Sequence, residues 1–106
     1  MRWFERIIAA HLAVTDQVSH MKRLKSDRYF VWQEDGAKDL SANNTHSEQA
    51  VTGVTDLFTK QEFDPWAEAL GKSLSLHGIA WKLVSVEYED TTGFTHYSWD
   101  WEVPNG

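Results

Sequence analysis

Five histidines and sixteen carboxylates are the side chains from which this 106-residue chain could build a catalytic or metal site. His11 and His77 fall in stretches of helical period, while His20, His46 and His96 stand alone. No two have the i, i+4 spacing that turns both imidazoles of one helix toward a zinc ion, and no carboxylate-bracketed His motif is present. A lone histidine on a mostly apolar helix face is expected to be a hydrogen-bonded core residue. Asp100 and Glu102 share a strand face and in principle suit acid–base work. Alternating carboxylates on an exposed strand are, however, the ordinary pattern of a solvated face. No serine has nucleophile-elbow context. The absence of cysteine removes disulfides, thiolate ligands and a Cys nucleophile. No catalytic residue, metal ligand or cofactor site is assigned, and the chain is expected not to be an enzyme.

A second chemistry is carried by charge. Lys22, Arg23, Lys25 and Arg28 lie beside Tyr29, Phe30 and Trp32, the mixture of cations and aromatics that nucleic-acid binding uses. The net charge of −6 opposes that use, since phosphate binding needs an excess of positive potential. No RNP, helix-turn-helix, KH or zinc-finger pattern accompanies the cluster. Charge is also split along the chain. Residues 1–28 hold six basic against three acidic side chains and the remainder four against thirteen, or about +3 and −9. A basic patch on one copy facing an acidic surface on the next suits head-to-tail association. Lys22, Arg23, Lys25 and Arg28, against Asp100 and Glu102, are the candidate subunit interface.

These residues need elements to hold them. Residues 81–103 form the organising stretch. Val84, Val86 and Tyr88 alternate with polar residues, and so do Tyr97, Trp99, Trp101 and Val103, which predicts a hairpin turning at Asp90-Thr91-Thr92-Gly93. Its aromatic face must be covered, with Trp99 and Trp101 largely buried. Trp3, Phe4, Ile7, Ile8 and His11 recur at helical spacing and predict an amphipathic helix over residues 2–19, neither a signal peptide nor a membrane span. RYFVWQ at 28–33 and the Thr- and Val-rich 49–60 predict strands, with Gly53 a possible bulge. Residues 34–48 between them are polar and predict a long loop with almost no apolar anchor, mobile in an isolated subunit. Asp64-Pro65 caps a helix that Gly78 ends.

The expectation is a single α+β domain over residues 1–106, two helices packed on one face of a four-stranded, mainly antiparallel sheet. The other sheet face, with Ser85, Glu87, His96, Ser98, Asp100 and Glu102, is left for solvent or a partner.

From about Val18 to Val103 the chain resembles the small tail-completion (tail-terminator) proteins of long-tailed bacteriophages and prophages. The likeness rests on RYFVWQE followed by KDLSANNTHSE, on LFTKQEFDPWAEALGKSLSLHGIAW, and on the closing VSVEYEDTTGFTHYSWDWEV. The resemblance implies no catalysis and no cofactor. It implies a virion protein, assembled in the host cytoplasm, that forms a ring (hexameric by the same resemblance) at the head-proximal end of the tail tube. Its partners would be further copies of itself, the tail tube protein and the head-connector proteins, with DNA passing through unbound and no membrane involved. Acidic residues lining such a bore would repel phosphate. Glu34, Asp35, Asp39 and Glu48 are the candidates, or they simply keep their loop solvated. A head-completion, connector or neck protein of the same assembly, a small adaptor, and a nucleic-acid module using residues 22–28 are the alternatives.

Overall fold

The structure is a computed structural model that describes residues 1–39 (of Asp39, the backbone alone) and 49–105. The elements run α1 (Trp3–Leu12), β1 (Val18–His20), β2 (Arg28–Asp39), β3 (Gln49–Thr59), α2 (Pro65–Leu76), β4 (Ala80–Tyr88) and β5 (Thr95–Pro104). The sheet has five strands in the order β1-β2-β3-β5-β4. All pairs are antiparallel except β1 with β2. The α+β class and the two helices agree with the sequence reading, but the sheet is five-stranded and mixed where four mainly antiparallel strands were expected.

The fifth strand comes from the segment expected to continue α1. Glu5 closes the start of that helix by accepting the Arg2 N–H at 3.0 Å. The helix stops at Leu12 rather than Ser19. Two β-branched residues follow, and the Thr15 hydroxyl accepts the Gln17 N–H at 3.1 Å, drawing the backbone into a turn. Gln17 then offers its carbonyl to the Phe30 N–H at 2.9 Å, and Val18–His20 runs parallel to β2. A second correction concerns residues 34–39. The expected loop is strand as far as Asp39, paired with β3. Residues 40–48, with Glu48 and the rest of that loop, lie outside the described residues.

Gly53 is not itself the bulge. Glu34 pairs with Gly53 and Gly36 with Thr52, so the extra residue is Asp35 on the facing strand. Glycine is required at 53 for a different reason. A Cβ there would lie 2.3 Å from Cη2 of Trp101 and 2.5 Å from the Gln33 carbonyl oxygen. The carbonyl belongs to a paired strand and cannot move aside. Gly53→Ala is therefore expected to cost about 1–3 kcal/mol in chemical denaturation, the usual penalty of overpacking. An unchanged midpoint would show that the ring has room to shift.

The main core lies between the helices and one sheet face. Ile7, Ala10, Phe30, Trp32, Leu57, Leu70, Leu74, Ile79, Trp99, Trp101 and Val103 form it. Trp99 and Trp101 are each 1 % exposed, as expected. His11 is the polar member of this layer. Its Nδ1–H donates to the Ile7 carbonyl at 2.7 Å, which leaves Nε2 to accept from the Thr55 hydroxyl at 2.9 Å. The Thr55 oxygen in turn accepts the Trp101 indole N–H at 3.0 Å. His11 is thus the hydrogen-bonded core histidine that its helix position suggests.

The opposite sheet face is less open than expected. Tyr29, Val31 and Phe58 make a second buried cluster there, covered by Leu24 and Phe94. The Arg23 guanidinium sits 4.0 Å above the Phe58 ring, and His96 stacks on the same ring at 4.4 Å. The loop between β1 and β2 is therefore folded down over this end of the sheet.

Candidate functional site

Helix length decides what the sheet leaves exposed. At about 1.5 Å per residue the helices span roughly 15–18 Å, whereas strands of this length span roughly 30–40 Å. Part of the sheet must overhang them. The uncovered part includes β4, the edge strand beyond β5. The sequence reading has the whole apolar face of the hairpin covered, and this holds for β5 only. Trp81 pairs with Trp101, Leu83 with Trp99, and Val86 with Tyr97, with Val84 bulged out between. The bulge switches parity, so that Trp81, Leu83, Val86 and Tyr88 share the helix-facing side as one row. Val86 is 51 % and Tyr88 65 % exposed. The parity change from 81 and 83 to 86 and 88 is the sequence signal for this row; a simple alternation through Val84 misses it.

Trp81 is held firmly at the head of the row. Its indole N–H donates to the Ser75 hydroxyl at 2.8 Å. Its ring lies flat on α2, where a Cβ at Gly71 would come within 2.7 Å of it. Between α2 and β4 runs a groove lined by Ala67, Gly71, Trp81, Leu83 and Trp99, with Glu68 and Lys72 also on its wall.

The candidate interface cations separate into two kinds. Lys22, Arg23 and Lys25 are exposed, and Arg28 is half-buried. Arg23 covers Phe58 and its Nε–H points at the Tyr29 hydroxyl, 3.4 Å away. Arg28 is tied to Asp64, with Nε donating to Oδ2 at 2.8 Å and Nη2 donating to Oδ1, and its plane stacks 3.7 Å over Trp66. Burial alone would raise the Asp64 pKa. The Arg28 guanidinium, the Trp66 N–H and the Thr59 hydroxyl outweigh it and hold the carboxyl below its ordinary value. Asp64 thus caps α2 and anchors β2 together. Arg28 is therefore tied into the fold through Asp64, whereas Arg23 lies along Phe58 and remains exposed.

The acidic candidates partly converge. Asp35 accepts from the Thr52 hydroxyl at 2.7 Å, and it lines one open cleft with Asp100 and Glu102. Glu102 also pairs with Lys38 at 2.9 Å. Glu34 points elsewhere, to His20 at 2.7 Å, and that hydrogen bond together with a backbone N–H lowers its pKa. Asp39 ends β2, and Glu48 lies outside the described residues. Among the described residues no cluster of histidine and carboxylate side chains is arranged to hold a metal ion, and no helix is long and apolar enough to cross a membrane.

Neither protein-family models nor curated proteins match the chain. Solved structures do. A chain from the virion of a native gene transfer agent particle matches with a TM-score of 0.58 at 12 % identity, over 98 % of this chain and 91 % of that one. The likeness is one of fold. A chain from a structure on the molecular mechanism of H-NOX activation is a looser match, with a TM-score of 0.48 at 12 % identity over 100 % of this chain and 51 % of that one.

One further residue stands out on the surface. Phe63, just before the Asp64 cap, has φ +50° and is 88 % exposed. A bulky side chain in the left-handed region costs of order 1–3 kcal/mol, and here no burial offsets it. Phe63→Asn is expected to leave thermal unfolding unchanged or to stabilise by up to about 1 kcal/mol, because Asn tolerates this conformation. A clear loss of stability would show that the ring supports the fold.

Proposed function

We propose that the protein is a structural subunit of a phage-like particle, acting at the head-proximal end of the tail tube. Copies associate into a closed ring that ends the tube and presents a docking surface to the head. The observation that carries this reading is the fold likeness to a virion chain over almost the full length of both proteins. The sequence resemblance to tail-completion proteins points the same way. The physical role is one of geometry and charge, with no bond made or broken. A ring closes when one face of a subunit binds a different face of its neighbour and the rotation returns to the start. DNA crosses such a ring without sticking where the bore is acidic, the role this reading gives to Glu34, Asp35, Asp39 and Glu48.

Deleting the coding sequence in its host tests the role. Filled heads and tail tubes are expected to accumulate separately in electron micrographs, with joined particles restored when the protein is supplied in trans. Normal numbers of joined particles without it would overturn the proposal.

A further inference from the structure

We propose that the apolar row of β4 is covered by the β1 side of a second copy of this chain, in a head-to-tail contact. The inference rests on the assembly reading above and assigns the surfaces that make it. Edge strands are normally protected by charge, by proline or by a covering loop. Here Trp81, Leu83, Val86 and Tyr88 are all between 40 % and 65 % exposed on one edge. Among the described residues no strand pairs with the outer side of β4. The Trp81 ring, bonded to Ser75 and packed against Gly71, is already positioned at the head of this surface.

The opposite edge carries a matching surface. Ile8 and Leu12 are exposed one turn apart on α1, and Met21 is exposed directly after β1. Arg6, on the other flank of α1, reaches toward Gly78 at the end of α2, so Ile8 and Leu12 face away from α2. Strand order places β1 and β4 at the two ends of the sheet. α2 lies over the β4 side, and α1 rests on β2 through His11 beside Phe30 and Trp32. The flank of α1 turned away from α2 is therefore on the β1 side, and the two apolar surfaces lie on opposite sides of one subunit.

Charge fixes the level at which two copies would meet. Arg28 pairs with Thr59, Thr59 with Thr95, and Thr95 with Tyr88, so these residues form one line across the sheet. Exposed Lys25, three residues before Arg28, lies near one end of that line, and Glu87, Glu89 and Asp90 near the other. Lys22 follows Met21, whose N–H bonds the Trp32 carbonyl, and so sits further along the sheet. Sideways stacking brings Lys25 of one copy to the carboxylates of the next, with the apolar surfaces between the two sheets. A two-fold contact of β4 with β4 would leave Ile8, Leu12 and Met21 uncovered and Lys25 unused. Each copy uses each surface once, which is the condition for a ring.

The test uses the purified full-length protein in sedimentation, with circular dichroism to confirm folding. The double variant Val86→Lys/Tyr88→Lys blocks the β4 surface, and Leu12→Glu blocks the other; all three positions are exposed. Wild type is expected to associate, each variant alone to be a monomer, and an equimolar mixture to form one-to-one dimers and nothing larger. Lys25→Glu is expected to weaken association of an otherwise wild-type protein. Monomeric wild type at every concentration, or association of Leu12→Glu alone as in a two-fold dimer, would overturn the proposal. This assay reads the contact alone. Joined particles in the deletion strain would instead remove the role at the tail end and leave the contact standing.

Discussion

Trp101→Ala is expected to destabilise the protein by about 3–5 kcal/mol. The ring is 1 % exposed, lies against Gly53 where no other residue would let it sit, and packs beside Trp32. Removing it leaves a cavity in a layer bounded by a paired strand on one side and a helix on the other. The strand cannot collapse inward without breaking its ladder, so the site relaxes little. Thr55 also loses the indole N–H that it accepts, though it keeps His11. A 106-residue domain has a total stability of only roughly 5–15 kcal/mol, so the variant is expected to unfold at a much lower denaturant midpoint. A loss below about 1 kcal/mol would contradict the packing described for β5.

Acid should act through His11. Burial pushes its pKa down from 6.5 to about 4 in the folded protein, against a smaller opposing effect of the Ile7 carbonyl. The folded state therefore holds the imidazole neutral, while the unfolded chain takes up a proton near its ordinary value. As pH falls through 6.5 the unfolded state is favoured increasingly, and the loss is complete below about 4. At about 1.4 kcal/mol per pKa unit, this amounts to about 3 kcal/mol. Protonation places a second N–H against the Thr55 hydroxyl, which must reverse its own proton and give up its present role as donor. Asp64 and Glu34, whose pKa values are lowered, lose their contributions only in the lower carboxylate range. His11→Gln is expected to be less stable at pH 7 but to show a stability curve flatter by about 3 kcal/mol between pH 7 and 4. Equal slopes for the two proteins would remove His11 as the acid-sensitive group.

What could be read from the chain follows from how local each signal is. Asp64 and Pro65 announce the start of α2, and Gly78, at φ +73°, its end, because capping involves residues a few positions apart. The alternation of Tyr97, Trp99, Trp101 and Val103 likewise carries its own face assignment. β1 has no such signal. It is three residues long, and its place depends on Phe30 and its neighbours twelve positions away. Residues 34–39 read as loop because both faces are polar there; they are strand because β3 is long enough to pair with them. The ion pair of Arg28 with Asp64 joins residues 36 positions apart, so a cation expected at an interface turns out to hold the fold. The surface on β4 was missed for a related reason. Composition shows how many apolar residues alternate on a strand, but helix length and the Val84 bulge decide which of them stay in water.

Immunogold labelling of purified particles tests the central claim most directly, using antibodies raised against the purified protein. Label is expected at the junction of head and tail and on the head-proximal end of free tails. Particles without label, or label confined to the capsid shell or the distal tail tip, would contradict it.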